Sequence, residues 1–264
     1  MIVVAYREEA CSIDAKREFF MITRRLNMGS DTVIEKVVKS RKTAVERSTD
    51  STDASGLPMS RRQRSVALKK NAIQNAALTV FSMYGFHGST VEQIADLAGV
   101  SKANLLYYFP SKDDLYLFVL TDLLSVWLTP FEALGRGDDP YIEIREYIKK
   151  KLELSRDFPE ASRLFCLEMI QGAPLLKPTL EGSLRKLVKE KAAVIKTWVD
   201  EKRIAPIDPY HLIFMLWATT QHYADFHVQI EALTGKTLDN DRFLKSAIEN
   251  IQKIILDGIQ PRAE

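Results

Sequence analysis

Ser89–Tyr116 reads STVEQIADLAGVSKANLLYYFPSKDDLY, three helical signals broken by two turns. Thr90 is a good N-cap, and Gln93 stands three residues on, in the register where a cap and its partner exchange hydrogen bonds with each other's backbone. That helix is expected to end at Gly99, because glycine enters a left-handed turn without a Cβ penalty. Ser101 then caps a helix carrying Leu105, Leu106 and Tyr107, which stops before Pro110 because proline disfavours a helical residue ahead of it. Ser111 opens a longer helix expected to reach about Leu134. Two short helices joined by Gly99-Val100-Ser101 have the spacing of a helix-turn-helix. Ala95 is small enough to let them cross closely, and Val100 fills the space between them.

Upstream, Ala72, Ala76 and Val80 recur at helical steps with Ile73, Ala77 and Tyr84, which predicts an amphipathic helix from about Ser65 to Gly85. Downstream, the periodicity predicts helices near Tyr141–Arg156, Pro159–Gln171, Leu175–Glu201, Pro209–Glu231 and Asn240–Asp257, separated by turns carrying Pro, Gly or Asp. No strand signal intervenes. The expected fold is all-α: an N-terminal three-helix DNA-binding domain over residues 59–112, with its helix-turn-helix at about 90–109, and a helical ligand-binding and dimerisation domain over 113–264. Residues 1–58 read as a disordered extension, closing on the linker-like run Ser-Thr-Asp-Ser-Thr-Asp-Ala-Ser-Gly, with one weak helix at Thr32–Val45. Met28 and Met59 are alternative starts, so part of this extension is expected to be untranslated.

Composition narrows the function classes. At 264 residues and 46% hydrophobic content the chain can bury a real core. No apolar run is long enough for a membrane span, and Ile2–Tyr6 meets Arg7, Glu8 and Glu9 at once, so no signal peptide is expected. Cys11 and Cys166 stand far apart and away from any ligand spacing, which predicts neither a disulfide nor a zinc site and suits a cytoplasmic protein. The overall charge of +2 conceals an asymmetry. Ser60–Lys112 holds seven bases against two acids, a net of +5, whereas the chain from Asp113 onward holds twenty bases against twenty-four acids, a net of −4. One segment is built to meet a polyanion.

Within that segment Ser101, Lys102 and Asn104 lie at the exposed start of the third helix, where a recognition helix presents side chains to base edges. Asn104 can make a paired contact to adenine, and Lys102 can reach guanine or a phosphate. Thr90, Tyr107, Tyr108 and Lys112 suit phosphate oxygens. Arg61, Arg62 and Arg64 read either as a disordered arm for the minor groove or as solubilising charge. The competing reading is a helical corner of a larger enzyme, with the tyrosines in its core. The run Ser89–Tyr116, with its Val-Ser, Leu-Tyr-Tyr and Phe-x-Ser-Lys signature, resembles the N-terminal domain of the TetR family of repressors. That resemblance implies a homodimer binding double-stranded operator DNA, each head taking one half-site.

The body carries its own signal. Trp217, Gln221 and Asp225 follow at steps of four on one helix face, polar groups in an element expected to be interior. A glutamine amide, a carboxylate and an indole can match the rim and face of a flat pyrimidinedione, with Trp127 and Leu128 as an opposite wall. The same cluster also reads as a polar network at a bundle or dimer seam. LEMIQGAPLL at Leu167–Leu176, SRDFPEASRLFC at Ser155–Cys166 and APIDPYHLIFMLWATTQHYADF at Ala205–Phe226 are similar to the sensor domain of the family's pyrimidine-utilisation regulators. This implies uracil or thymine as effector, release of DNA on binding, and control of pyrimidine-degradation genes. The alternative effector is a drug or acyl compound, which would need a larger and more uniformly apolar pocket. His222 and His227 lack ligand spacing, so no metal is expected, and Thr219, Thr220 and His222 take no specific role. Leu212, Met215, Leu216, Phe243, Ile248, Ile251, Ile254 and Ile255 exceed what two terminal helices of a monomer need, which predicts a four-helix dimer seam. No cofactor or enzyme activity is expected, for the chain has no Gly-rich phosphate loop, nucleophile elbow or metal motif.

Overall fold

The computed structural model of the protein describes residues 60–137 and 139–261. The expected extension, its helix at Thr32–Val45 and Cys11 lie outside these residues. Every regular element among them is helical. In order they are α1 (Arg61–Gly88), α2 (Val91–Ala98), α3 (Lys102–Tyr108), α4 (Lys112–Ala133), α5 (Pro140–Asp157) and α6 (Pro159–Ile170). Then come α7 (Lys177–Thr179), a π-helical stretch at Leu180–Leu184, α8 (Arg185–Asp200), α9 (Pro209–Asp225), α10 (His227–Thr234) and α11 (Asp241–Gly258).

The described chain forms two compact units, a head of residues 60–80 and 88–115 and a body of 81–87 and 116–261. The division therefore falls a few residues past the expected boundary at Lys112, and the last part of α1 belongs with the body. Gly85 explains the second point: its φ of +69° interrupts α1, and beyond it Phe86 meets the Tyr116 ring edge-on at 5.0 Å, as Phe81 does at 4.9 Å. In the head, Ile73, Ala76, Ala77 and Leu78 of α1 are buried with Ile94 and Ala95 of α2 and Leu105 of α3. The periodicity marks Ile73, Ala76 and Ala77 but not Leu78 or Ile94, and Tyr84, which it also marks, is 53% exposed.

In the body, α5 packs against α6, α9 and α11. Its core gathers Phe131 from α4 and Leu134 just after it, Ile148 and Leu152 from α5, Ile195 from α8, Leu212 and Leu216 from α9, and Ile251 and Ile255 from α11. Helix α4 is long and apolar enough to cross a membrane by composition alone, yet 56% of its apolar window is buried within the fold. That is the pattern of a core helix.

Two expected helices are interrupted. Pro209–Glu231 divides at Phe226, where His227 Nδ1 sits 3.1 Å from the Ala224 carbonyl that a continuing helix would have given to Val228. Leu175–Glu201 starts at Lys177 and widens into the π-helical turn around Gly182 and Ser183, two poor helix formers.

Candidate DNA-binding head and candidate ligand site

The local geometry of the head follows from its caps. Thr90 Oγ1 accepts from the Gln93 N–H at 3.2 Å, and Gln93 Oε1 returns the bond to the Thr90 N–H at 2.9 Å. Gly99 closes α2 in the left-handed region at φ +67°, and its neighbour Val100 donates to the Ala95 carbonyl, fixing the tight turn. Val100 itself is half-buried. Ser101 Oγ accepts from the Asn104 N–H at 3.2 Å, which leaves its own O–H free to donate outward.

Side chains at the start of α3 are accessible. Ser101 and Lys102 are exposed and Asn104 is half-buried. Lys102 Nζ pairs with Glu92 Oε1 at 2.5 Å, and that bond holds the Glu92 carboxyl below its usual value. Both partners are more than half exposed, so the pair is weak and a phosphate or guanine can compete for the ammonium. Tyr107 is 80% exposed and meets Tyr108 edge-on at 5.3 Å. Lys112 has a second task besides any phosphate: its Nζ donates to the Ser89 carbonyl at 3.0 Å, tying the start of α4 to the entry of α2. Of the two readings of Arg61, Arg62 and Arg64, the disordered arm is overturned. Those residues form the first turn of α1, held by a capping box in which Ser60 and Gln63 bond each other's backbone. Basic residues oppose the helix dipole there, but the reciprocal cap satisfies two backbone donors and outweighs them.

In the body, four helices bring the predicted polar residues together with one that the sequence reading passed over. Asp225, at the end of α9, accepts from Ser162 Oγ of α6, and the Gln221 and Cys166 side chains lie near enough to act on its carboxylate. Burial raises the Asp225 pKa, while Ser162, Gln221, Cys166 and the nearby Lys151 charge pull it back. Burial also raises the Cys166 thiol, and Asp225 adds to that shift. Lys151 projects from the buried face of α5 and is 5% exposed. Its Nζ lies 4.7 Å over the ring centroid of the buried Trp127 of α4. Burial pushes its pKa down to about 8 against the opposing pull of Asp225. Lys151 and Asp225 sense each other without closing an ion pair, and no described residue accepts a hydrogen bond from the ammonium.

An aromatic wall adjoins this polar group. Trp217 stands one turn before Gln221 and meets Phe131 at 5.4 Å, and Phe131 meets Tyr147 at 6.0 Å. The Tyr147 hydroxyl is buried without a hydrogen-bond partner. Burial pushes its pKa up, and the Trp217 side chain lies close enough to oppose that shift without completing a bond of ordinary geometry. Phe165 meets Trp127 edge-on at 5.7 Å. Leu128 packs, partly buried, against the body core.

The remaining polar residues find internal partners. Thr219 and Thr220 bond back to the carbonyls of Met215 and Leu216, and Ser155 Oγ donates to the Thr220 carbonyl at 3.1 Å. His222 stacks on Phe226, and His227 engages Arg163 and the Ala224 carbonyl. Glu168, buried on α6, accepts from the N–H groups of Leu175 and Leu176 and so holds the turn after α6. Lys151 was missed because it ends the run Lys149-Lys150-Lys151, which reads as solvated charge. The signal was its register: Ile144, Tyr147, Ile148, Lys151, Leu152 and Ser155 form the buried stripe of α5.

Comparison with known proteins agrees with both halves. Residues 73–119 match the family described as "Bacterial regulatory proteins, tetR family", and residues 120–262 match "YcdC-like protein, C-terminal region". The chain is 57% identical over 202 residues to the HTH-type transcriptional regulator RutR of Escherichia coli K12, covering 76% of this chain and 95% of that protein. It is 31% identical over 134 residues to the HTH-type transcriptional repressor NicS of Pseudomonas putida, covering 50% of this chain and 61% of that one. A TetR family transcription regulator from Marinobacter aquaeolei superposes with a TM-score of 0.58 at 21% identity, over 76% of this chain and all of that one. At that identity the likeness concerns the fold alone.

Proposed function

Because the chain belongs to the TetR family and is a DNA-binding transcription regulator rather than an enzyme, we propose that its body senses a pyrimidine base, uracil or thymine, and that occupancy releases the head from operator DNA. The genes controlled are those of pyrimidine degradation, the regulator works in the cytoplasm, and a homodimer places its two heads on a near-palindromic operator. The observation that carries the effector reading is the convergence of the Lys151 ammonium, the Asp225 carboxylate and the Gln221 amide beside the Trp127 indole. A pyrimidinedione offers carbonyl acceptors, ring N–H donors and a flat face to such a set. A drug or an acyl chain would leave the buried Lys151 ammonium without a polar partner and would give the half-buried Asp225 carboxylate none beyond its own protein neighbours, at a cost that its apolar contacts would have to offset.

Helix α4 carries Lys112 at its start and Trp127 four turns further along. Ring binding at Trp127 therefore acts on the element that also bears a phosphate-facing lysine. Coupling of this kind is reciprocal: a ring that weakens DNA binding must itself bind the DNA-loaded protein less tightly. The test is a calorimetric titration of uracil into the free protein and into its operator complex, beside a gel shift of that operator with each pyrimidine added. Weaker uracil binding to the complex, with release of DNA, supports the reading. Equal affinity in both states overturns it.

A further inference from the structure

Resting on the pyrimidine reading, we propose that Lys151 determines which ring the body accepts, its ammonium donating to one ring carbonyl while Asp225 takes an adjacent ring N–H. Three observations from different helices lead there. Lys151 is almost fully buried, yet none of its three N–H donors has a hydrogen-bond acceptor among the described residues. It is poised over the Trp127 face, which holds the charge in place without satisfying those donors. Asp225 comes from α9 with one oxygen engaged by Ser162, and the two charges act on each other without forming an ion pair.

A buried cation and a half-buried carboxylate that stop short of contact are complementary to a group offering an acceptor and a donor side by side. The lactam edge of a planar ring, a carbonyl next to an N–H, is such a group and carries no net charge. Two consequences follow. Rings that have lost the carbonyl read by Lys151 leave its ammonium unsatisfied and are rejected, in the way a site built to hydrogen-bond one substrate group rejects the analogue without it. Apolar ligands of the same size are rejected for the same reason.

The test measures uracil, 2-pyrimidinone and 4-pyrimidinone, the latter two each lacking one carbonyl oxygen of uracil and one ring N–H, against the full-length protein and its Lys151→Met variant by calorimetry. Methionine keeps the apolar stem over Trp127 and removes the donor. A hydrogen bond to a charged group sets the expected loss of uracil affinity in the variant at roughly 10- to 100-fold. One of the two single-oxygen rings should show a comparable loss against the parent protein and almost no further loss against the variant. Such non-additivity identifies the oxygen that Lys151 reads, and a merely structural role would not produce it. Additive losses for both rings, or unchanged uracil affinity in a variant whose urea unfolding is cooperative, overturn the inference and leave pyrimidine sensing standing. A parent protein that binds none of the three rings overturns pyrimidine sensing and this inference together.

Discussion

At the scale of the residue, Lys151 is the most demanding position in the body. An unfolded lysine titrates near 10.5, and burial brings the folded group down to about 8. The folded protein thus holds fewer protons than the unfolded chain between those values. Its stability is penalised below pH 8 and recovers as the pH rises toward 10.5. The full penalty amounts to about 3 kcal/mol. Lys151→Met removes it, so in ligand-free protein the variant's advantage over the parent should shrink by up to about that amount on going from pH 7 to above pH 10. Urea unfolding at several pH values measures this, and a pH-independent difference would contradict a buried ammonium. Lys102 is the opposite case, exposed and only weakly paired. Lys102→Ala should lower the salt slope of operator binding by about 1 if the side chain meets a phosphate.

At the scale of the element, the head rests on short helices that cannot stand alone and are fixed by their ends. Gly99 is in the left-handed region with open space around the position where a Cβ would sit. Gly99→Ala therefore meets backbone strain without a clash, and should cost the head about 1 kcal/mol in chemical denaturation, with Gly99→Asn costing less. Gly135 also has positive φ, but there a Cβ would come within 2.6 Å of the Val194 side chain, so Gly135→Ala should destabilise the body more than Gly99→Ala destabilises the head. The caps, the glycine turn and the helix stops were legible in the sequence because each depends on residues within four positions of one another. The break at Phe226 was not, since nothing in the local pattern shows that the His227 ring will meet the Ala224 carbonyl.

At the scale of the whole molecule, the expected dimer seam separates into two sets. Leu212, Leu216, Ile251 and Ile255 are consumed by the body's own core and Phe243 and Ile248 pack partly buried against it, whereas Met215 and Ile254 remain about half or more exposed, beside the equally exposed Phe214 that the sequence did not mark. The first set was credited to association because periodicity marks apolar faces without saying what covers them. If the second set forms the subunit contact, Ile254→Glu should shift sedimentation from dimer to monomer and weaken binding to a palindromic operator while leaving the monomer folded. Unchanged sedimentation would move the seam elsewhere.

The amino-acid order alone determined the all-helical class, the capped helix-turn-helix, the basic bias of the head and the face shared by Trp217, Gln221 and Asp225, since all are written in short-range spacing and composition. Only tertiary packing decided that Lys151, on a stretch that reads as surface charge, turns inward over Trp127 and toward Asp225. The reason is physical: a charged side chain accepts burial only when groups from other helices make that burial tolerable, and which helices those are is settled by how α4, α5, α6 and α9 pack.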